Sequence, residues 1–550
     1  MEFFRSDEFS ARIRDLMDKE HVPGLVVAVV QGDEIESKGY GVANLASSEP
    51  VTGSTLFDIA SVSKSFTAAA VGLLVADNEN YPEVQYTATM SSLLPDDFVM
   101  QEKGYTEGVT LEDILSHRSG LPGHDDSYLK SDTPRSVTRN LRNLPVAAPL
   151  RSQYMYCNQM YTVATHLIEE KTGQSFSDFL EERIFTPLQM DSTSLQPSRA
   201  HEKGHGERIA MGYRWIGPRS TATTSSNPIF PPASSTFASS PNSDPQSSYR
   251  PVEVFNDPEA QGAGSILTSA DDLIKWVRAF LRHDQDPITE DIYRGLVRMR
   301  TIVDPSEMCQ KKHTSAEIYA AGLEMYHYRG HAIIGHDGGI CGFASRFVFL
   351  PELDFGVCLM GNSEGVDKFS CMVCRMLVDV VLGMDESNDD ATREKKKKDA
   401  KLASHPREVV TKKTTTSQEK LTPKTELSTE SNEERREENP KRQLSEPELE
   451  LPLTAYTGTY HHPGYHDMIV QTKDGRLFID ASDRSMGFTL TFYHVRDGTH
   501  FSPNLISILD GEEERIQAEF MQSDEGRVVR LGLDLEPKIK ELIWFERFDG

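Results

Sequence analysis

Ser61 and Lys64 stand three positions apart in "LFDIASVSKSFTAAAVGLLV", residues 56 to 75, at the mouth of an apolar, alanine-rich run. On a helix such a pair faces one side about a turn apart, which sets an amine beside a hydroxyl. A serine at a helix start also lies among unpaired backbone N–H groups that stabilise a developing oxyanion. A lysine in a desolvated cleft can lose its proton near neutral pH and take the serine's. The plainer reading is a helix-capping serine with a solvated lysine. Ser-x-x-Lys recurs at Ser127 and Ser417, but "SYLK" follows a turn and "SQEK" lies in a highly charged stretch; a helical run follows only at Ser61.

Two further elements carry chemistry-bearing residues. Of the 18 tyrosines, Tyr156 alone begins a Tyr-x-Asn, in "YMYCNQMY". A phenol near a lysine cation is expected to have a lowered pKa and to shuttle the serine proton to a leaving group. Asn158 can donate to a substrate carbonyl and hold Lys64 in place. The alternative makes Tyr156 a core residue and Asn158 the cap of the following helix. The third element is "GHDGGICGF", where His336, Asp337, Gly338 and Gly339 interrupt apolar strand. A literal "KTG" at Lys171 ends the helical "TVATHLIEEKTG", where lysine suits the last turn and glycine the C-terminal cap. "KDG" at Lys473 reads as a hairpin turn.

In this order, Ser61-x-x-Lys64, Tyr156-x-Asn158 and His336-x-Gly338, the chain resembles the serine β-lactamase and penicillin-binding-protein superfamily over about residues 8 to 384. The Tyr-x-Asn form is similar to the class C β-lactamase branch, the peptidase S12 type, which also holds DD-carboxypeptidases, D-aminopeptidases, esterases and acyltransferases. "LEDILSHRSGLPG" and "GAGSILTSADDLIKW" are similar to further motifs of that branch. The resemblance implies that Ser61 forms an acyl-enzyme and that Lys64 and Tyr156 handle the protons. It implies that Asn158, His336, Gly338 and Gly339 bind substrate, with the N–H groups of Ser61 and Gly339 as oxyanion hole. No metal or other cofactor is expected. Histidine stands at 336 where the superfamily has lysine, and Asp337 where threonine is usual. Less positive charge and an added negative one tilt the expectation from β-lactams toward neutral esters, amides or peptides.

The elements that must position these residues alternate along the chain. "MEFFRSDEFSARIRDLMDKEHVPG" reads as an amphipathic helix, and "GLVVAVVQGDEIESKGYGVAN" as a hairpin. Apolar strands return in "HAIIGHDGGICGFASRFVFLPELDFGVCLMGN", with helical patterns between. The fold expected is α+β, an antiparallel sheet built from both ends of residues 1–384 with flanking and inserted helical regions. Residues 218–251, rich in Ser, Thr and Pro, read as a disordered insertion, and 385–450, of mixed charge, as a disordered linker. Short alternating runs over 451–550 read as a small all-β, lipocalin-like barrel.

Composition narrows the partners. A formal charge of -27, from 58 basic and 85 acidic residues, repels phosphate backbones and anionic lipid, so neither nucleic acid nor a membrane is expected. There is no secretion-signal pattern and no apolar run of about 18 residues. With six scattered cysteines, a cytoplasmic protein is expected; its oligomeric state is open. Cys371 and Cys374 form a C-x-x-C in an apolar helical pattern, read as two buried thiols without a role. Two rivals stand beside the serine hydrolase: a non-catalytic binding protein on the same scaffold, and a zinc hydrolase using His201 and His205 of "HEKGH", whose glycines oppose the helix such a site needs.

Overall fold

The computed structural model describes residues 1–217, 248–306, 312–384, 449 and 451–548. Helix α1 (Asp7–Lys19) starts where the Ser6 hydroxyl accepts the Phe9 N–H at 3.1 Å and turns Phe9, Ile13 and Met17 inward. Strands β1 (Gly24–Gln31) and β2 (Glu34–Asn44) form the expected hairpin. Late in the chain come β3 (Glu324–Tyr328), β4 (His331–Ile340), β5 (Phe343–Leu350) and β6 (Phe355–Gly361). The nine-stranded sheet runs β2-β1-β6-β5-β4-β3 between short edge strands. β1 pairs antiparallel with β6, Leu25 opposite Gly361 and Gln31 opposite Phe355, so both ends of this region share one sheet. The unbroken apolar "GLVVAVV" follows from this central place, since a strand covered on both faces gains nothing from polar alternation.

The helices carry the second layer. α2 (Ser63–Ala76) is buried from Ser63 through Leu74, which its alanines permit because neighbours can approach its backbone closely on every side. α3 (Gln159–Thr172) ends at Gly173, whose φ of +70° suits a residue without Cβ. The Lys171 "KTG" is thus a helix C-terminus, with Lys171 paired to Glu83 at 2.9 Å. α4 (Ala270–Arg282), capped by Ser269, lays Val277 against Gly356 of β6. Its Trp276 stacks on Phe66 of α2 at 4.2 Å and donates to the Ser65 hydroxyl at 3.0 Å, tying the sheet layer to α2.

Beyond residue 451 the chain forms an eleven-stranded antiparallel sheet, a curled all-β half-barrel of lipocalin-like type. Buried aromatic rings pack together in it, among them Tyr456, Phe501 and Phe520 in edge contacts of 5.1–5.6 Å. Two short strands were not anticipated, His500–Phe501 and Glu513–Arg515, and the run "TLTFYHV" divides into the strands Phe488–Thr491 and His494–Arg496.

The sheet is seated on the α+β region. A buried Arg484 donates to the carbonyls of Tyr465 and Asp467, the Lys130 N–H to Asp483 O at 3.0 Å, and the Ser485 N–H to Tyr128 O at 3.2 Å. His124 meets the Tyr465 hydroxyl at 2.6 Å and donates its backbone N–H to Glu536 at 2.8 Å.

Three sequence expectations need correction. Ser248–Val252 is a strand paired with Gly212–Ile216, Trp215 against Tyr249, so the 218–251 insertion was drawn too long; residues 218–247 lie outside the described residues. Likewise Leu449 packs on the core, while 385–448 and 450 lie outside the described residues. Cys374 is buried but Cys371 only partly, because the helix Asp367–Val381 turns its Cys371–Met372 side outward.

Candidate active site

Ser61 stands on a strained turn. Ala60 has φ +46°, a left-handed conformation that costs an L-residue on the order of 1–3 kcal/mol, and its N–H is held at 2.7 Å by the carboxyl of buried Asp58. Burial brings that carboxyl up to about 6. Residues Ala60–Val62 form a 3₁₀ turn running into α2. With three residues per 3₁₀ turn, side chains at i and i+3 eclipse. Lys64 therefore lies over Ser61 and donates to its Oγ at 2.9 Å, with a second bond to the Ala263 carbonyl at 2.7 Å.

The capping alternative fails on both residues. Val62 precedes α2 and no side chain caps it, while Lys64 is 0% exposed. Burial drives its amine down from 10.5 to about 7, only partly offset by Asp125, Cys157 and Glu324.

Tyr156 donates to the same Oγ at 2.8 Å. The expected acidification of this phenol is overturned: burial, outweighing the Ser61 hydrogen bond, holds its ionisation well above the usual tyrosine range. A lysine that is itself driven toward neutrality offers little charge to acidify it. Ser61 Oγ thus meets one amine close to neutral pH and one neutral phenol.

Asn158 begins α3 without capping it; its Nδ2 donates to Asp125 at 3.1 Å. The holding of Lys64 expected of Asn158 is done by the Ala263 carbonyl. His117, from the "LSHRSG" turn, was not singled out from sequence. It is buried, its Nδ1 accepts the Cys157 N–H at 3.1 Å, and its ring lies 4.2 Å from that of Tyr156.

The third element divides. His336 is 2% exposed and lines no described cavity. Its Nδ1 reaches the Asp337 carbonyl at 2.5 Å and its Nε2 the Tyr319 hydroxyl at 2.8 Å. A carbonyl only accepts, so Nδ1 carries the proton and Nε2 accepts. Burial, and then Lys64, depress this imidazole to about 3, so it is neutral at any ordinary pH. Asp337, next along the strand, projects to the other sheet face and pairs with Arg346. The negative charge expected in the site is therefore turned away from it. Gly338 is buried, and a Cβ there would lie 2.2 Å from Ile59 O and 2.5 Å from Ser345 Oγ. Its missing side chain lets β4 close against the segment leading into Ser61. Gly339 is exposed and faces the opening. The structure thus sets Ser61, Asn158 and Gly339 at one opening, with Lys64 buried against Ser61 and Tyr156 bonded to it from the side, and places His336 and Gly338 behind.

Two cavities meet here. The first, about 200 Å³, is lined by Ser61, Asn158, Ala263, Gly339 and, from the half-barrel, Ser485 and Met486. The second, about 450 Å³, is lined by Tyr156 and Met155 on one side and Leu505, Glu514, Ile516 and Pro537 of the half-barrel on the other. Asp125 borders both. The alternative histidine pair is not on one helix: His201 lies in the six-residue helix Pro197–Glu202, the chain turns at Gly204 with φ +79°, and His205 bonds to the Asp191 carbonyl. Among the described residues the one three-residue set spaced to hold a metal is Cys341, Glu364 and Asp510, and Arg214 already pairs with Asp510.

The beta-lactamase family model matches residues 9–371, two thirds of the chain. The chain belongs to the beta-lactamase family. A domain of unknown function, DUF3471, matches residues 444–547. Among curated proteins the chain is 30% identical to the unguisins hydrolase ungD' of Aspergillus campestris, covering 98% of this chain and 91% of that protein. It is 31% identical to the unguisins hydrolase ungD of Aspergillus violaceofuscus, with 98% and 90% covered. Among solved structures it is similar to an octameric penicillin-binding protein homologue from Pyrococcus abyssi, at 18% identity and a TM-score of 0.55, covering 98% of this chain and 99% of that one. It is also similar to the D-amino acid amidase of Ochrobactrum anthropi, at 23% identity and a TM-score of 0.50, with 68% and 100% covered. At these identities the two structures speak for the beta-lactamase fold. No helix among the described residues is long and apolar enough to cross a membrane.

Proposed function

We propose that this beta-lactamase-family protein is a hydrolase that works through an acyl-enzyme on Ser61, with neutral amides or esters as substrates. The observation that carries the reading is the pair of hydrogen bonds on Ser61 Oγ, from Lys64 Nζ at 2.9 Å and the Tyr156 hydroxyl at 2.8 Å, with the Lys64 amine near neutrality. As a free amine, Lys64 keeps one N–H on the Ala263 carbonyl and turns its lone pair to the Ser61 hydroxyl. It takes that proton as Oγ bonds to the substrate carbonyl carbon. The backbone N–H groups of Ser61 and Gly339 serve as oxyanion hole. When the bond to the leaving atom breaks, the proton passes from Lys64 to that atom, with the neutral Tyr156 hydroxyl hydrogen-bonding across from Oγ. Water then adds to the acyl carbon and restores the serine.

The names of the two Aspergillus relatives support hydrolysis. Neutral substrates are favoured by the first cavity, whose ionisable walls are Asp125 and Asp257 with no cation among its described lining. A substrate carboxylate would find no cation there, and burial pushes both carboxyls up toward their neutral forms. His336, expected to tilt the choice toward neutral substrates, contributes nothing to it, being buried and neutral. The domain division we propose is 1–384 for the hydrolase region and 449–550 for the half-barrel region, with 385–448 as connector.

A binding protein on an inactive scaffold would gain nothing from burying an amine over a serine. The deciding experiment is labelling with a fluorophosphonate followed by peptide mapping. The label is expected on Ser61 and lost in Ser61→Ala, while Ser127→Ala and Ser417→Ala keep it. Label persisting in Ser61→Ala overturns the assignment.

A further inference from the structure

We infer that the C-terminal half-barrel is one wall of the substrate site, and that the site takes a small acyl group on one side of Ser61 and a large, peptide-sized leaving group on the other. The inference rests on the acyl-enzyme reading above and goes beyond it to the substrate class. The two cavities differ in what borders them. The first holds Asn158 and Gly339, the groups placed to meet a carbonyl, so the acyl portion lies there. Tyr156 borders the second, and its hydroxyl, bonded to Oγ, can follow the proton only to an atom on its own side; the leaving portion lies there. The second cavity, about 450 Å³, has more than twice the room of the first, about 200 Å³, so the larger portion of the substrate belongs on the leaving side.

The half-barrel sets both limits. Its turn between Arg476–Ala481 and Phe488–Thr491 carries Ser485 and Met486 to the rim of the first cavity. That turn is pinned by the Ser485 N–H to Tyr128 O bond, the Lys130 N–H to Asp483 O bond, and the buried Arg484. Met486 is 37% exposed there, an apolar side chain at the rim of the smaller cavity. The outer wall of the second cavity comes from Leu505, Glu514, Ile516 and Pro537. In the reaction the acyl carbon gains the bond to Oγ and loses the bond to the leaving nitrogen, which departs into the second cavity with the Ser61 proton.

The test uses the full-length protein and two amide series. In one, a butanoyl group is fixed and the amine grows from methylamine to a dipeptide amide. In the other, methylamine is fixed and the acyl chain grows from butanoyl to dodecanoyl. We expect kcat/KM to rise at least tenfold along the first series and to fall at least tenfold along the second. Leu505→Trp, and Glu514→Trp at an exposed position that cannot compromise folding, should each remove most of the gain in the first series. Met486→Trp should steepen the loss in the second. Ile469→Trp, on an exposed strand face away from both cavities, should leave both series as they are. A preference for long acyl chains with small amines, or a first-series gain untouched by both cavity substitutions, overturns the inference. Mass spectrometry of the trapped acyl-enzyme keeps the two readings apart: acyl on another residue refutes the Ser61 mechanism, whereas acyl on Ser61 with the opposite size preference refutes this inference alone.

Discussion

Replacing Lys64 by methionine should abolish acylation and, below neutral pH, make the protein more stable. Methionine matches the lysine stem in length and carries no charge. The fold holds the Lys64 amine at about 7, against 10.5 when free, which below pH 7 costs the folded state about 5 kcal/mol at ~1.36 kcal/mol per decade. Methionine leaves the Ala263 carbonyl and Ser61 Oγ without their donor, a loss of roughly 1–3 kcal/mol. The variant should therefore be about 2–4 kcal/mol more stable at pH 6. The sign with pH follows from proton counts. Between pH 7 and 10.5 the folded lysine is neutral while the unfolded one is still charged, so the unfolded chain binds more protons and wild-type stability rises with pH. By pH 9 the cost has fallen to about 2 kcal/mol and the advantage of methionine should vanish. Urea unfolding of both proteins at pH 6 and pH 9, followed by tryptophan fluorescence, measures this. An advantage that is the same at both pH values, or a variant less stable than wild type at pH 6, would show that burial does not depress this amine.

The acylation rate with a fluorophosphonate should climb about tenfold per pH unit below pH 7 and level off above it, because only free Lys64 accepts the proton; no second limb from Tyr156 or His336 should appear between pH 5 and 9, and one would implicate a different base. Gly338→Ala should lower Tm, by the equivalent of roughly 1–3 kcal/mol, since its Cβ would run into Ile59 O at 2.2 Å; Gly339→Ala, whose Cβ meets nothing within 4 Å, should keep the wild-type Tm. His117→Phe should slow acylation at least tenfold without moving its pH midpoint, through loss of the bond that fixes the Cys157 N–H beside Tyr156, and His117→Asn, which keeps an acceptor, should recover part of the rate. A shifted midpoint would make His117 a proton carrier instead.

Residue types and their order were legible because they need no geometry to be seen. Ser-x-x-Lys before an alanine run, Tyr-x-Asn before a helix and a glycine break between strands are local, and so are the helix caps and hairpin turns that frame them. The hairpin of β1 and β2 was legible likewise, but not that β1 lies at the sheet centre, covered on both faces. What the sequence could not carry were the terms that depend on who lies next to whom. A carbonyl looks alike at every residue, so the choice of Ala263 to hold Lys64 came from the closing of one loop over α2. Burial reverses charge arguments made from residue type: the same tyrosine that a lysine cation would acidify in water is made less acidic in a dry cleft, and a histidine read as a ligand for carboxylates becomes a neutral partner of Tyr319. Strand alternation, with pairing to Arg346, turned Asp337 away. The half-barrel lies more than 300 residues from Ser61 along the chain, and no local pattern tells that the turn at Ser485 and Met486 rests at its rim. Only packing decides that, because the backbone bonds of Tyr128 and Lys130 to that turn exist once the two sheets have met.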